Sequence, residues 1–340
     1  MPTSVSVTIV SHNSRQYLET CLRTVFGQTH RPIEVVVVDN ASTDGSLDVL
    51  VRFGGRIRLI RNDRNAGFAA AQNQAIRASA SDWVLALNPD AALLPGFVSE
   101  LVEGGQIDRT VGTVCGRLLS MGRNLQPLET PLIDSAGIYF TPSMRHFDRG
   151  WHEPDDGRFR EMEYVFGASG AAALYRREMI DDVSEGENFF DPDFFAYRED
   201  ADVAWRAQLL GWRCLYVPGA VGYHVRTVVP GNRRDVPGVV NMHSVKNRFL
   251  MRIKNTTGGI YRRFWLPATV RDLLVVGGCL LWEQRSLPAF WRIAKCLPRA
   301  LQQRRLIMTR RRVSDESLAQ WFSAEPSAQP VTDVAICNKA

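Results

Sequence analysis

Four short apolar runs, each ending abruptly in polar residues, constrain this chain more than any other feature of its sequence. They are Val5–Val10, closed by Ser11-His12-Asn13-Ser14; Ile33–Val38, closed by Asp39-Asn40; Arg58–Ile60, leading into Asn62; and Trp83–Leu87, closed by Asn88-Pro89-Asp90. Between them Tyr17, Leu18, Cys21, Leu22 and Val25 recur at helical spacing, a second helix is expected after Thr43-Asp44-Gly45, and a third over Ala69–Ala78. Runs without polar alternation suit strands buried on both faces, and their alternation with helices predicts a mostly parallel, doubly wound α/β sheet. Ligands of such sheets bind beyond the carboxyl ends of the strands. All four ends here are polar.

From Val111 to Val240 the pattern is less periodic and rich in aromatics and glycine. It reads as antiparallel strands continuing the same domain, with one clear helix over Glu199–Leu210. Charge then divides the chain. Lysine and arginine total 41 against 36 acids, a net of +5, yet Asn241–Arg312 carries sixteen of the basic residues and only Asp272 and Glu283 as acids. The remainder is acidic. Trp, Phe and Leu interleave with these basic residues, as in helices that lie in a membrane interface. Nucleic-acid binding and simple packing against the acidic body compete with that reading; the run Leu273–Val276 suits lipid or a packed helix better than nucleic acid. We therefore expect an anionic membrane surface as partner and no nucleic acid.

Several absences narrow the chemistry. No G-x-G-x-x-G follows the first strand, and neither G-x-x-x-x-G-K-[ST] nor G-x-S-x-G occurs, which disfavours a dinucleotide dehydrogenase, a P-loop enzyme and a serine nucleophile elbow. Six scattered cysteines without C-x-x-C fit reduced thiols. No secretory segment is visible at Met1–Val10, and the longest apolar run, Leu273–Trp282, is about half the ~20 residues of a membrane span. The expected location is therefore the cytosol.

The strand-end carboxylates Asp39 and Asp90 can accept hydrogen bonds from a base or sugar, or hold a cation against phosphates; each could also cap the helix that follows. In the cluster Glu199-Asp200-Ala201-Asp202, the four-residue spacing of Asp202 and Arg206 accounts for those two as an ion pair. Glu199 and Asp200 are left either as a charge-biased helix start or as a general base beside a bound hydroxyl. His224 lies at another strand end, structural unless Asp90 comes near it.

Together these segments closely resemble the inverting family-2 glycosyltransferases, particularly a rhamnosyltransferase-like branch. The resemblance is carried by Val7–Ser14, Val36–Ser46, Arg61–Phe68 with Asn73, Leu87-Asn88-Pro89-Asp90, Phe166–Ala171, the 199–206 cluster with Gly211-Trp212, and His224. It implies a glycosyltransferase A-type fold with a catalytic domain over 1–240, a basic amphipathic helical region over 241–322 and a loose tail over 323–340. It further implies that Ser11, Asn13 and Asp39 line a nucleotide pocket and that Gly67 and Asn73 belong to a segment closing over the nucleotide sugar. Asp90 and His224 would hold Mg²⁺ or Mn²⁺, and Asp200, beside Glu199, would be the general base. Asn88 stands where the family's metal motif has its first aspartate, leaving one charge fewer. The implied partners are a nucleotide-sugar donor and a glycan or lipid-linked acceptor, met at the inner face of the cell membrane. A nucleotidyltransferase on a similar sheet and a non-catalytic binding module are the rival readings.

Overall fold

The computed structural model describes residues 3–226 and 238–331. Its first part alternates as expected: β1 (Val5–Ser11), α1 (Arg15–Phe26), β2 (Ile33–Asn40), α2 (Ser46–Arg52), β3 (Arg58–Asn62), α3 (Phe68–Arg77) and β4 (Trp83–Leu87). The middle contains β5 (Ala91–Leu93), α4 (Phe97–Gln106), β6 (Val111–Ser120), β7 (Ile133–Ser135), β8 (Ile138–Phe140), β9 (His146–Asp148), β10 (Glu163–Val165), β11 (Ala172–Arg176), α5 (Arg177–Val183), α6 (Glu199–Leu209) and β12 (Arg213–His224). The last part is helical, with α7 (Gly238–Asn255), α8 (Gly258–Leu281), α9 (Pro288–Arg310) and α10 (Asp315–Ala319) before a short β13 (Gln329–Pro330).

The main sheet runs β13-β10-β12-β6-β11-β4-β1-β2-β3, with β5 beside β12 and β7 beside β6. Val7, Ile9, Val35 and Val37 lie in the large core, while Val36 and Val38 on the opposite side pack with Ala71 and Ala75 of α3. Both faces are covered, so β2 runs through four valines and even Ser6 and Thr8 of β1 are buried. The sheet is mixed, its parallel ladders joined by antiparallel strands. Strands β4, β1, β2 and β3 are mutually parallel, as are β6 and β12, but β11 enters antiparallel between β4 and β6. A parallel return requires a crossover, usually a helix, and the segment between β6 and β11 contains only short strands and loops.

The parallel register sets the site. Ser11 lies opposite Asp39 on β1 and β2, and Ile9 opposite Leu87 on β1 and β4, so three polar strand ends meet along one edge. Strand β12 brings His224 to that edge, opposite Ala91 of β5.

Two features differ from the sequence expectation. Residues 323–331 of the tail expected to be loose are built in: Ser323 N–H donates to the Phe140 carbonyl at 3.0 Å, and β13 pairs with β10. Just before them, Trp321 and Phe322 are buried against Phe140, Phe166 and Trp205. Helix α8, at 24 residues and with an 18-residue stretch of mean hydropathy 1.5, is long and apolar enough to cross a membrane by length and composition. Arg271-Asp272 divides the apolar run in sequence. The helix continues through because Asp272 is paired with Arg248 (3.3 Å) and Arg252 of α7.

Candidate active site

The side expected to take a nucleotide lies at the ends of β1 and β2. Ser11 and Asp39 are buried, and the Ser11 hydroxyl and Asp39 Oδ1 have no hydrogen-bond partner among the described residues. Two orphaned polar atoms side by side are costly unless a ligand satisfies them. The loop beside them is rigid: Thr43 N–H donates to Asn13 Oδ1 at 2.8 Å, and Asn13 N–H to the Ser42 hydroxyl at 3.1 Å. Asn13 therefore shapes this rim through the 42–44 loop.

Gly67 has φ of +85°, and a Cβ there would lie 2.5 Å from the Phe195 ring, so only glycine fits. Asn73 is turned inward, its amide donating to the Phe190 carbonyl at 2.7 Å and accepting from Phe190 N–H at 2.9 Å. It clamps α3 to the 188–190 segment from below.

Asn88, Asp90, Glu199, Asp200 and His224 line one cleft of about 450 Å³, together with Phe68, Asp148, Gly170 and Arg226. The Asp90–His224 proximity that sequence left open is present: His224 Nε2 lies 3.3 Å from Asp90 Oδ1. On its other side His224 Nδ1 meets Asp134 at 2.8 Å, and Arg226 joins Asp134 (2.7 Å) to Asp148 (2.8 Å). Burial disfavours a charged His224, but Asp134 and Asp90 outweigh it and raise its pKa to about 10. Once a cation displaces the Nε2 proton, a carboxylate oxygen and an imidazole nitrogen facing each other, the imidazole oriented from behind by a second carboxylate, form a donor set that suits a divalent cation. Among the described residues no third His, Cys, Asp or Glu joins them. Such a cation would depend on substrate phosphates and water for its other ligands, as Mg²⁺ commonly does.

The base candidates open α6. Residues 195, 197 and 198 have φ of 66°, 71° and 71°, a run of left-handed non-glycine backbone immediately before Glu199. Strain of this kind persists only where the surroundings enforce it. Here α7 does so: Asn247 donates its amide to the carbonyls of Phe194 (2.9 Å), Ala196 (2.8 Å) and Tyr197 (2.6 Å), and Arg198 reaches Ser244. Asp200 accepts from Gly170 N–H at 2.9 Å. Burial raises the Asp200 pKa, the Gly170 bond opposes this, and Asp148 adds to the rise. Glu199 is more deeply buried, one of its oxygens has no partner among the described residues, and burial with the Asp200 charge pushes its pKa well up. The Asp202–Arg206 pair forms at 2.9 Å and extends to Lys254 Nζ at 3.1 Å, so Asp202 is structural.

Asp134, Asp148, Arg226 and the α7 contacts of the 194–197 loop were not singled out from sequence. A signal existed for Arg226, two residues beyond His224 and hence on the same side of an extended chain. Asp134 and Asp148 sit on three-residue strands, too short to show a period.

The profile described as "Glycosyl transferase family 2" matches residues 6–184. The N-acetylglucosaminyl-diphospho-decaprenol L-rhamnosyltransferase of Mycobacterium tuberculosis is 26% identical over 233 residues, covering 64% of this chain and 75% of that protein. Among solved structures, GalNAc-T7 with UDP, GalNAc and Mn²⁺ superposes with a TM-score of 0.59 at 20% identity, over 74% of this chain and 48% of the other, so this chain spans about half its length. The mannosyltransferase PcManGT of Pyrobaculum calidifontis with GDP-Man and Mn²⁺ gives 0.51 at 17% identity, over 91% and 88%. At these identities the structures speak for the fold, which is of the glycosyltransferase A type.

Proposed function

The chain belongs to glycosyl transferase family 2, and on that premise we propose that it moves rhamnose from a dTDP donor to a hydroxyl of a lipid-linked or cell-surface glycan, with inversion. The observation that carries the reading is one cleft holding both the Asp90–His224 pair and the Asp200 carboxylate. Membership in the family sets aside the nucleotidyltransferase and the non-catalytic module. The named activity of the mycobacterial relative supports rhamnose and a diphospholipid-linked acceptor, and hence a role in cell-wall or polysaccharide synthesis.

In this reading Ser11 and Asp39 use their unpartnered atoms on the nucleoside, and Asn13 holds the rim of that pocket. Phe68 and the Gly67 turn cover the sugar side. Asp90 and His224 would hold Mg²⁺ or Mn²⁺, which stabilises the charge that develops on the leaving diphosphate. Asn88 lines the same wall without adding charge. Asp200, fixed by Gly170 N–H, takes the acceptor hydroxyl proton as attack proceeds, work that contributes about 10²–10⁴-fold to rate. Glu199, next to it in a drier place, carries the proton more readily and keeps like charge from accumulating. One base and no covalent intermediate correspond to single displacement. The acceptor would be met at the inner face of the cell membrane, where the protein docks peripherally.

A panel of nucleotide sugars tests the donor. We expect dTDP-rhamnose to give thermal stabilisation and Mn²⁺- or Mg²⁺-dependent turnover above that of UDP- and GDP-sugars. Turnover with another sugar only would replace the donor assignment, and turnover with none would remove the transferase reading.

A further inference from the structure

We propose that the outer face of α8, continued over the turn into α9, is a monotopic docking surface that seats in one leaflet of an anionic bilayer, with α8 lying along the membrane and not across it. This deepens the reading above and rests on it only for the lipid-linked acceptor.

Helix α8 has two distinct sides. Beyond a kink at Phe264, Ala268, Asp272, Val275 and Cys279 recur at spacings of four, three and four and form its inner stripe; Val275 and Cys279 pack with Met242 and Val245 of α7 and Ala289 of α9. The other side is apolar and uncovered. Leu273 and Leu281 are each 67% exposed, Trp282 is 81% exposed, and Trp265, Leu266 and Leu274 are more than half exposed. An apolar face of this extent on a folded chain marks an interaction site.

Length and composition would let α8 span a membrane, but its inner stripe forbids it. Asp272 lies mid-helix and is bound to Arg248 and Arg252, which belong to α7. The same α7 holds the loop before Glu199 through Asn247. Spanning would either strip Asp272 from its partners within hydrocarbon or draw α7 in with it, and charge at that depth is strongly disfavoured. Lying in the interface keeps every one of these contacts.

Charge identifies the occupant. Arg262, Arg263, Arg285, Arg292 and Lys295 are exposed around the apolar face, while Asp272 is consumed internally. A second copy docked on the same face would bring two basic rims together, which like charge opposes. Anionic headgroups around an acyl interior complement both parts.

The test uses the full chain and vesicles of phosphatidylcholine alone or mixed equally with phosphatidylglycerol. Binding should require the anionic lipid, weaken with salt, and fall by roughly tenfold or more in L273E/L274E, whose side chains point outward so that dichroism and donor binding stay unchanged. Unaltered vesicle binding by that variant, or a concentration-dependent dimer indifferent to vesicles, would overturn the proposal. For orientation, reporter cysteines at Gly258 and Gln284, with Cys296 and Cys337 replaced by Ser and the other four cysteines buried, should react with an impermeant maleimide in the same orientation of membrane vesicles. Labelling from opposite sides would show a span and defeat the in-plane claim. Vesicle binding needs neither donor nor acceptor, so failure of the unsubstituted protein to bind anionic vesicles while it still transfers sugar counts against this surface alone. Binding without transfer counts against the functional reading alone.

Discussion

Asp39 and Asp200 are both strand- or helix-end carboxylates, yet their surroundings give them different work. Asp39 offers one buried oxygen with no partner among the described residues, which in the proposed reading the donor would satisfy. Replacing it with Ala should weaken nucleotide-sugar binding roughly 10–100-fold, the scale of a lost charge-assisted hydrogen bond, with little change in turnover at saturation, as read by calorimetry and kinetics. Asp200 is raised by burial and by Asp148. Because the base works only when deprotonated, kcat/KM should rise with pH along a limb centred above the ordinary aspartate value of about 3.9. Asp148→Asn removes a like charge and should move that limb to lower pH; an unmoved or raised limb would exclude Asp148 as its neighbour in function. At this scale the sequence was informative where residues punctuate long periodic runs, as at Ser11, Asp39 and Asp90. It was silent on Asp134 and Asp148, whose meeting with His224 and Arg226 depends on long-range pairing and not on any local pattern.

At the scale of elements, the helix that opens the basic region is part of the catalytic body's support. Lys254 of α7 is fully buried between Asp191 (2.7 Å) and Asp202 (3.1 Å). Burial alone would raise the Asp191 pKa, but Lys254 outweighs it and holds the carboxyl at about 2. A lowered carboxylate stabilises the fold fully above the ordinary aspartate range and loses that contribution as pH falls toward the lowered value. Lys254→Met should therefore cost roughly 3–5 kcal/mol, because two buried carboxylates lose their shared partner, and the urea midpoint should fall accordingly. An unchanged midpoint would mean that the trio adds nothing net. None of this is legible in the sequence, where Lys254 reads as one more basic surface residue. Helix α8 shows the opposite difficulty. The pair Arg271-Asp272 cuts its apolar run in two, although in the fold Asp272 turns inward to α7 and the helix runs on past it to Leu281, its kink lying earlier, at Phe264. Strands β1, β2 and β4 were plain from pattern alone because burial on both faces favours runs of apolar and β-branched side chains, whereas β3, at the sheet edge, is partly exposed and keeps Arg58 and Arg61.

Across the whole molecule the net charge of +5 conceals a division that is physical as well as numerical. Part of the basic stretch folds back onto the acidic body: Arg310 and Arg312 bind Asp182, Arg299 binds Asp193, and Lys254 enters the core. Another part, Arg262, Arg263, Arg285, Arg292 and Lys295, faces outward beside the exposed apolar side of α8. Sequence presented packing and docking as competitors; the fold packs one set of basic residues on the body and leaves another exposed, so the docking proposed above does not compete with packing. If outward charge serves docking, association with anionic vesicles should decline steeply between low and high ionic strength, while sugar transfer to a soluble acceptor should not. The most direct test of the central claim is Asp200→Asn, with donor binding and sugar transfer measured on the same preparation. The account predicts donor affinity within about twofold of the parent and transfer reduced by about 10²–10⁴-fold. Transfer near the parental rate would contradict the assignment of Asp200 as the base and, with it, the mechanism proposed for this cleft.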